Sequence, residues 1–397
     1  MKLSAILSIL PAVVAVPAAR RAEPAPLLTP RVDADQLIPN KYIIKFKDGM
    51  SISSVDETVN ALSNKADHIY DLAFSGFAGQ LSAEELEVLR NHPDVEYIEQ
   101  DAMVSKCHNP NPKDFIQQPN ATWGLSRISH RETGGSTYDY HKNAGEGTCA
   151  YIIDTGVEDT HPEFEGRAKM LISIFKDQTT DGHGHGTHCA GIIGSKTYGV
   201  AKKSKLFGVK ALDDLGNGSN AGIIAGIQFV IRDASNQKCP RGVVANMSLG
   251  GPKSSALNAA AAAMIKANIF LAVAAGNGFA DARGVSPASE RTVCTVGSSN
   301  VVDWKSSFSN FGPVVDIFAP GEDIISTWKK GTTRYSTGTS MASPHIAGLA
   351  AYILSIENFD SPEKLCRKLR RYSTKDVLEN LNEDTANMLA FNNQPRG

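Results

Sequence analysis

Residues 269–277 read IFLAVAAGN, an apolar run of strand length that stops at Gly276 and Asn277. It shows no alternation of polar and apolar side chains, so a strand built from it must be covered on both faces. Three further runs have the same character: AYIID at 150–154, KLFGVKAL at 205–212 and GVVANMSLG at 242–250. Alanine-rich segments of helical length lie between them, including SALNAAAAAMIKAN at 255–268. Buried strands alternating with helices predict an α/β fold, a mainly parallel sheet between two helical layers. In such a fold functional groups gather beyond the carboxyl ends of the strands.

The 397 residues exceed what one hydrophobic core usually organises, so two domains are expected. A second, smaller unit is legible at 40–104. KYIIKFK (41–47) puts Tyr42, Ile44 and Phe46 on one strand face and Lys45 and Lys47 on the other. In LSAEELEVLRNHPDVEYIEQD (81–101), Ser82 with Glu85 predicts a capping box and Leu81 with Leu86 a hydrophobic staple. Pro93 ends that helix and VEYIE reads as a return strand, so the expected order is strand, helix, strand, helix, strand in a small α+β sandwich. Residues 105–120 (SKCHNPNPKDFIQQPN) lack periodicity and read as a linker.

The first twenty residues, MKLSAILSILPAVVAVPAAR, combine a basic Lys2, an apolar stretch from Leu3 to Ala15 and small residues at 13 and 15. They predict a signal peptide at 1–15, cut at the latest near 19, and hence a secreted, extracellular protein. No other apolar run approaches the ~20 residues that span a bilayer. A net charge of −2 argues against nucleic acid or an anionic membrane as the main partner. Secretion also makes disulfides the expectation for Cys107, Cys149, Cys189, Cys239, Cys294 and Cys366. Their spacing leaves fifteen full pairings open.

Residues 181–191, DGHGHGTHCAG, concentrate histidines with an aspartate and a cysteine. These are zinc-ligand types, and a zinc hydrolase using Asp181, His183, His185 and His188 is one reading. The rest of the chain favours another. YIIDTG puts Asp154 at a strand end, GHGTHCAGIIG puts His185 at a helix start, and GTSMASPHIAGLAAYIL puts Ser340 at a second helix start. Pro344 is expected to be tolerated there as part of the first turn. A serine hydroxyl needs an imidazole to take its proton, and the imidazole needs a carboxylate to hold its tautomer. Asn277 supplies an amide for the developing oxyanion, together with the Ser340 backbone N–H. Each motif alone has a plain reading: DTG as a turn, GTS as a common tripeptide, AAGN as a strand running into a loop. Their joint occurrence, in this order and at strand ends, points to nucleophilic catalysis.

With YIIDTG, DGHGHGTHCAG, NMSLGG, AVAAGN and GTSMASPH, the chain resembles the subtilisin-like serine proteases, most closely the proteinase K branch found as secreted fungal enzymes. The resemblance covers nearly everything after the signal peptide. It implies a three-layer subtilisin-like fold preceded by a ferredoxin-like, inhibitor-like propeptide. The propeptide spans 16–107 with its domain at about 40–104, and the catalytic domain spans 108–397, its start between 105 and 122. The cut falls between Val104 and Asn109. His185 becomes the triad base, His188 a structural neighbour, His183 loop variation, and Asp181 a shaper of the turn.

By the same resemblance, Gly216, Asn217 and Gly218 on one side and Ser248, Leu249, Gly250 and Gly251 on the other flank an extended substrate and pair with it as a strand. Ala274, Ala275 and Gly276 line an apolar primary pocket that favours bulky hydrophobic or aromatic residues before the cut. Asn220 stands where close relatives often carry tyrosine. Cys149 pairs with Cys239 and Cys294 with Cys366, Cys189 stays free, and Cys107 has no counterpart. No catalytic cofactor is implied. A structural calcium ion is, held by the Asp316 carboxylate and the carbonyls of Arg291 and Val293; a second site near Asp376 is out of register. Of the sequons at Asn120, Asn217 and Asn246, Asn120 is the glycosylation candidate. The implied partners are protein and peptide substrates and the chain's own propeptide, as chaperone and inhibitor, with a monomer as default. An inactive protease-fold binding protein is the remaining alternative, although no triad residue is missing.

Overall fold

A computed structural model describes residues 23–30, 37–103 and 114–395, and the chain separates into two units, Met1–His108 and Asn109–Gly397. The expected signal peptide, the expected cut and Cys107 lie outside the described residues.

The first unit contains β1 (Leu27–Leu28), β2 (Leu37–Phe46), α1 (Ile52–Asn60), β3 (His68–Tyr70), β4 (Gly76–Gln80), α2 (Ala83–Arg90) and β5 (Val95–Ala102). Its sheet runs β1-β5-β2-β4-β3, a ferredoxin-like order with one strand added at the β5 edge. Ile44 and Phe46 are buried on the core face of β2, while Lys45 on the opposite face pairs with Glu96. At the start of α2, Ser82 Oγ accepts from Glu85 N (3.2 Å) and Glu85 Oε2 accepts from Ser82 N (2.8 Å). Two strands depart from the expected order. β3 forms a hairpin with β4, and β1 lies parallel to β5 with Ala25 just before it fully buried. Both are too short to show a periodicity and exist because a neighbouring edge offers unpaired backbone groups.

The second unit begins with β6 (Phe115–Gln118), α3 (Trp123–Arg127) and β7 (Tyr138–His141). It continues through β8 (Thr148–Asp154), β9 (Ala168–Ser173), α4 (His185–Gly194), β10 (Lys205–Lys210), α5 (Asn220–Ala234) and β11 (Gly242–Met247). Next come β12 (Gly251–Pro252), α6 (Ser255–Lys266), β13 (Ile269–Ala274), β14 (Val285–Ser286), β15 (Cys294–Ser299) and β16 (Ile317–Pro320). The remainder is β17 (Ile324–Trp328), β18 (Thr332–Ser336), α7 (Thr339–Leu354), α8 (Pro362–Tyr372), β19 (Thr374–Lys375) and β20 (Met388–Leu389). The residues read as a linker thus include a strand, β6, which pairs antiparallel with β7. That pairing partner lies about twenty residues on, beyond the reach of any local pattern.

The main sheet has nine strands in the order β19-β20-β16-β15-β13-β11-β8-β10-β9, parallel except for β19 against β20. Every residue of β8 and β13 is buried, as their unbroken apolar runs require. Alternate residues of β8 serve opposite cores. Ala150 and Ile152 pack in the core that includes α4 and α7, while Tyr151 and Ile153 pack in the one that includes α5 and α6. Disulfides join Cys149 to Cys239 and Cys294 to Cys366 across separations of 90 and 72 residues, and Cys189 is a buried free thiol. Replacing both Cys149 and Cys239 by serine is expected to lower stability by about 2–5 kcal/mol, because the unfolded chain regains the entropy of a long loop. Calorimetry of the two proteins measures it; equal melting temperatures would refute it.

Candidate active site

Asp154 is the last residue of β8 and is fully buried. Its Oδ1 accepts from Thr155 N (2.7 Å) and from His185 Nδ1 (2.7 Å), and its Oδ2 is buried without a partner among the described residues. A carboxylate at Nδ1 places the ring proton there and leaves Nε2 with the lone pair. Burial pushes the imidazole of His185 toward its neutral form, but the charge of Asp154 and its hydrogen bond outweigh this and hold the group above the ordinary histidine value.

His185 opens α4, and the turn before it is built for close approach. Gly184 has φ 104°, and a Cβ there would lie 2.5 Å from the Trp328 ring. A Cβ on Gly186 would lie 2.1 Å from the Gly156 carbonyl oxygen, next to Asp154. Gly186→Ala must therefore push α4 away from the end of β8. The expected result is a lowered melting temperature, measured by calorimetry; an unchanged one would show that the contact relaxes cheaply.

Asp181 holds this turn with all of its acceptor capacity. Oδ1 accepts from Gly184 N (2.7 Å) and Thr155 Oγ1 (2.8 Å), and Oδ2 accepts from Thr187 N (2.9 Å) and Thr187 Oγ1 (2.6 Å). His188 is buried and directs Nε2 at the carbonyls of Ile324 (3.0 Å) and Arg334 (2.9 Å), and burial lowers its pKa to about 4. The four residues of the zinc reading are therefore not turned toward a common point. Asp154, His185 and Cys189 do cluster, but burial pushes the Cys189 thiol up, and its Sγ lies 3.5 Å from the Ser340 carbonyl oxygen, to which it donates.

Ser340 is the second residue of α7, and its Oγ donates to the Ser248 carbonyl (3.1 Å); no hydrogen bond joins it to His185 in this structure. Such links often tighten only when substrate binds. Pro344 lies deeper in the helix than the first turn, contrary to expectation. It is accommodated because the carbonyl it leaves without an N–H, that of Ser340, accepts from Ser248 Oγ (2.7 Å) instead. Asn277 follows β13. Its Oδ1 accepts from Thr339 N (2.8 Å) and Thr339 Oγ1 (2.8 Å). The backbone donor fixes the amide orientation, so Nδ2 is the half left to donate beside the N-terminus of α7.

A cleft of about 560 Å³ is lined by Gly216, Asn217, Gly218 and Asn220 on one side and Ser248, Leu249, Gly250 and Gly251 on the other. His183 and His185 stand in the same cleft, and Leu212, Ile223 and Leu257 give it an apolar base. Ala274, Ala275 and Gly276 are outside its lining; both alanines are buried at the end of β13. Elsewhere, Asp316 Oδ2 accepts from Thr295 N (2.9 Å) and Oδ1 lies 3.5 Å from Arg370 Nη1. Burial raises this carboxyl to about 6, against the opposing pull of the Thr295 N–H and of Arg370 and Arg291. Cys294 and Cys366 beside it are bonded to each other and offer no thiolate.

Residues 145–394 match the Subtilase family. The chain belongs to this family. Residues 41–106 match the Peptidase inhibitor I9 family. The chain is 55% identical over 394 residues to the cuticle-degrading protease of Metarhizium anisopliae, covering 99% of this chain and 100% of that protein. It is 51% identical over 397 residues to proteinase R of Parengyodontium album, covering 99% of each. The crystal structure of a cold adapted subtilisin-like serine proteinase matches with a TM-score of 0.65 and 41% identity, over 69% of this chain and 98% of that one. The protein is thus a subtilisin-like serine protease with an inhibitor-type propeptide.

In this subtilase, supporting residues carry the site and escaped the sequence reading. Buried Asn310 gives Nδ2 to the Ala275 carbonyl (2.8 Å) and accepts at Oδ1 from Gly278 N (3.1 Å) and Ala280 N (2.9 Å), fixing the loop that carries Asn277. Lys210, fully buried, donates to the Thr155 carbonyl (2.8 Å) and to Asp214 Oδ1 (2.6 Å), tying the cleft rim to the residue after Asp154. A lysine inside an apolar strand run was the available signal for the latter. Nothing local marks Asn310.

Proposed function

We propose that the protein is a secreted endopeptidase in which Ser340 attacks the peptide carbonyl, His185 takes its proton, and Asp154 stabilises the resulting imidazolium. The observation that carries this reading is the 2.7 Å bond from His185 Nδ1 to Asp154, with Asn277 Nδ2 available beside the helix start that bears Ser340. The serine oxygen bonds to the carbonyl carbon as its proton passes to Nε2. The tetrahedral oxyanion is met by Asn277 Nδ2 and by Ser340 N–H, which as a first-turn amide has no intrahelical acceptor. His185 then gives the proton to the leaving amine, and water hydrolyses the acyl-enzyme by the same steps.

Extended substrate pairs with main chain at 216–218 and 248–251, which supports broad specificity; of Ala274, Ala275 and Gly276, only Gly276 is not buried, and it borders the pocket for an apolar residue before the cut. The 16–107 segment acts as chaperone and inhibitor until it is removed, and the mature enzyme works as an extracellular monomer. No helix among the described residues is long and apolar enough to cross a membrane. Asn120 is exposed and takes the glycan, whereas the buried Asn246 has its amide committed to Ser248 and Ser343. The half-buried Asp316 carboxylate suits a hard cation, with the Arg291 and Val293 carbonyls completing the protein ligands; the ion would supply local stability and no chemistry.

Fluorophosphonate labelling with peptide mapping tests the reading. Label on Ser340 that survives brief EDTA and vanishes in His185→Ala is expected; unlabelled protein whose proteolysis stops at once with EDTA would overturn it. Longer chelation is expected to lower the melting temperature while label persists, since a ligand bound only by the native state stabilises it. Because Asp154 holds His185 above the ordinary value and only neutral imidazole can act as base, kcat/KM rises with pH with a midpoint above about 6.5. An acid limb centred below that contradicts the assignment. Asn277→Leu should lower kcat about 10²–10³-fold with little change in KM, the size found for the corresponding change in subtilisin, a member of the same family.

A further inference from the structure

His183 lines the same cleft as His185, and its ring stands 6.2 Å from that of His185, centre to centre, at an angle of 70°. Trp328 packs against its other side with ring centres 6.1 Å apart. Neither nitrogen of His183 has a hydrogen-bond partner among the described residues, and Nδ1 is buried. Buried polar atoms without partners are few in native proteins, and an ion or water is a common explanation. Nε2 of His185 likewise has no hydrogen-bond partner among the described residues, since Asp154 engages Nδ1.

We propose that His183 and His185 form an inhibitory site for a borderline divalent cation such as Zn²⁺. Two imidazoles bound to one tetrahedral zinc ion at about 2.0–2.1 Å have ring centres roughly 4.5–5.5 Å apart, so from the observed 6.2 Å the rings close by about 1 Å as the ion binds. The carboxylate behind a ligating histidine, a frequent second-shell feature of zinc sites, is present as Asp154. The ion uses the Nε2 lone pair of His185, which is the one that accepts the Ser340 proton, and water fills its other positions. No covalent bond of the protein changes. This site differs from the zinc-hydrolase reading because Asp181 and His188 take no part and the metal stops the reaction. Calcium, which prefers oxygen ligands, does not compete for it. That binding causes inhibition rests on His185 being the base; the binding itself does not.

The test uses processed wild-type enzyme and His183→Asn, assayed over a range of buffered free Zn²⁺, each normalised to its own zinc-free rate. In parallel, carbethoxylation of histidines by diethyl pyrocarbonate is mapped with and without zinc. Wild type should be inhibited reversibly, and the variant should need at least about tenfold more zinc, since losing even a second-shell partner costs about 10–100-fold in metal affinity. Zinc should protect His183 and His185 together. Equal sensitivity of the two proteins would overturn the proposal, and would assign any inhibition to another group such as Cys189. Protection of neither ring would overturn it as well. Protection of both without inhibition would support the site and overturn His185 as the base.

Discussion

His185→Ala is expected to reduce kcat by about 10⁶-fold while leaving KM within a small factor. The size is that of single-residue removal in subtilisin, where loss of the serine or the histidine alone costs about 2 × 10⁶. The physical reason lies in the order of the steps. Without an acceptor at Nε2 the Ser340 proton has nowhere to go as the carbonyl is attacked, so the hydroxyl remains a poor nucleophile. Adding Ser340→Ala to the first change should cost almost nothing more, because the two act as a unit. What survives is catalysis by the Asn277 and Ser340 N–H donors alone. If the enzyme removes its own 16–107 segment, such variants must be processed in trans by wild-type enzyme before assay. Single-turnover rates on a chromogenic peptide give the comparison. A loss of less than about 10²-fold would mean that another group takes the proton, for general-base contributions alone reach about 10²–10⁴.

Asp154→Asn should lower kcat by up to about 10⁴-fold with the fold intact, the order of the loss when the corresponding aspartate of subtilisin is removed. Oδ1 of Asp154 accepts two hydrogen bonds, from Thr155 N and His185 Nδ1, while Oδ2 has no partner among the described residues. An asparagine can keep its oxygen at the Oδ1 position and put the NH₂ where Oδ2 was. The ring tautomer then survives and the loss is chiefly one of charge. That makes a second, directional expectation. The Asp154 charge opposes the effect of burial on His185, so without it the imidazole titrates lower and the acid limb of kcat/KM moves to lower pH. A variant that lost activity with an unmoved limb would point to a displaced ring, and its melting temperature would show whether α4 had shifted.

Much of this architecture could be read locally. The unbroken apolar runs at 150–154 and 269–274 required cover on both faces, and β8 and β13 are buried throughout. Ser82 and Glu85 announced the start of α2 because a capping box acts over three residues. The positions of Asp154, His185, Ser340 and Asn277 at strand ends and helix starts were likewise legible, since motif and local element coincide there. Other features depended on partners far along the chain. β6 reads as linker until β7 is beside it. Pro344 is accommodated by Ser248, nearly a hundred residues earlier, and Asn277 is oriented by Thr339 and its loop by Asn310.

The sequence by itself determined which segments are buried, where helices begin, and which side-chain chemistries lie at the carboxyl end of the sheet, because these follow from periodicity and capping within a few residues. Only the tertiary structure decided which atoms meet. It used all of Asp181 in the turn, aimed His188 at two carbonyls, and left the buried Nδ1 of His183, beside His185, without a partner among the described residues. The four candidate ligands differ in this way although they lie within eight residues of one another, because hydrogen bonds formed across the fold, and not spacing along the chain, set the direction of each ring and carboxylate.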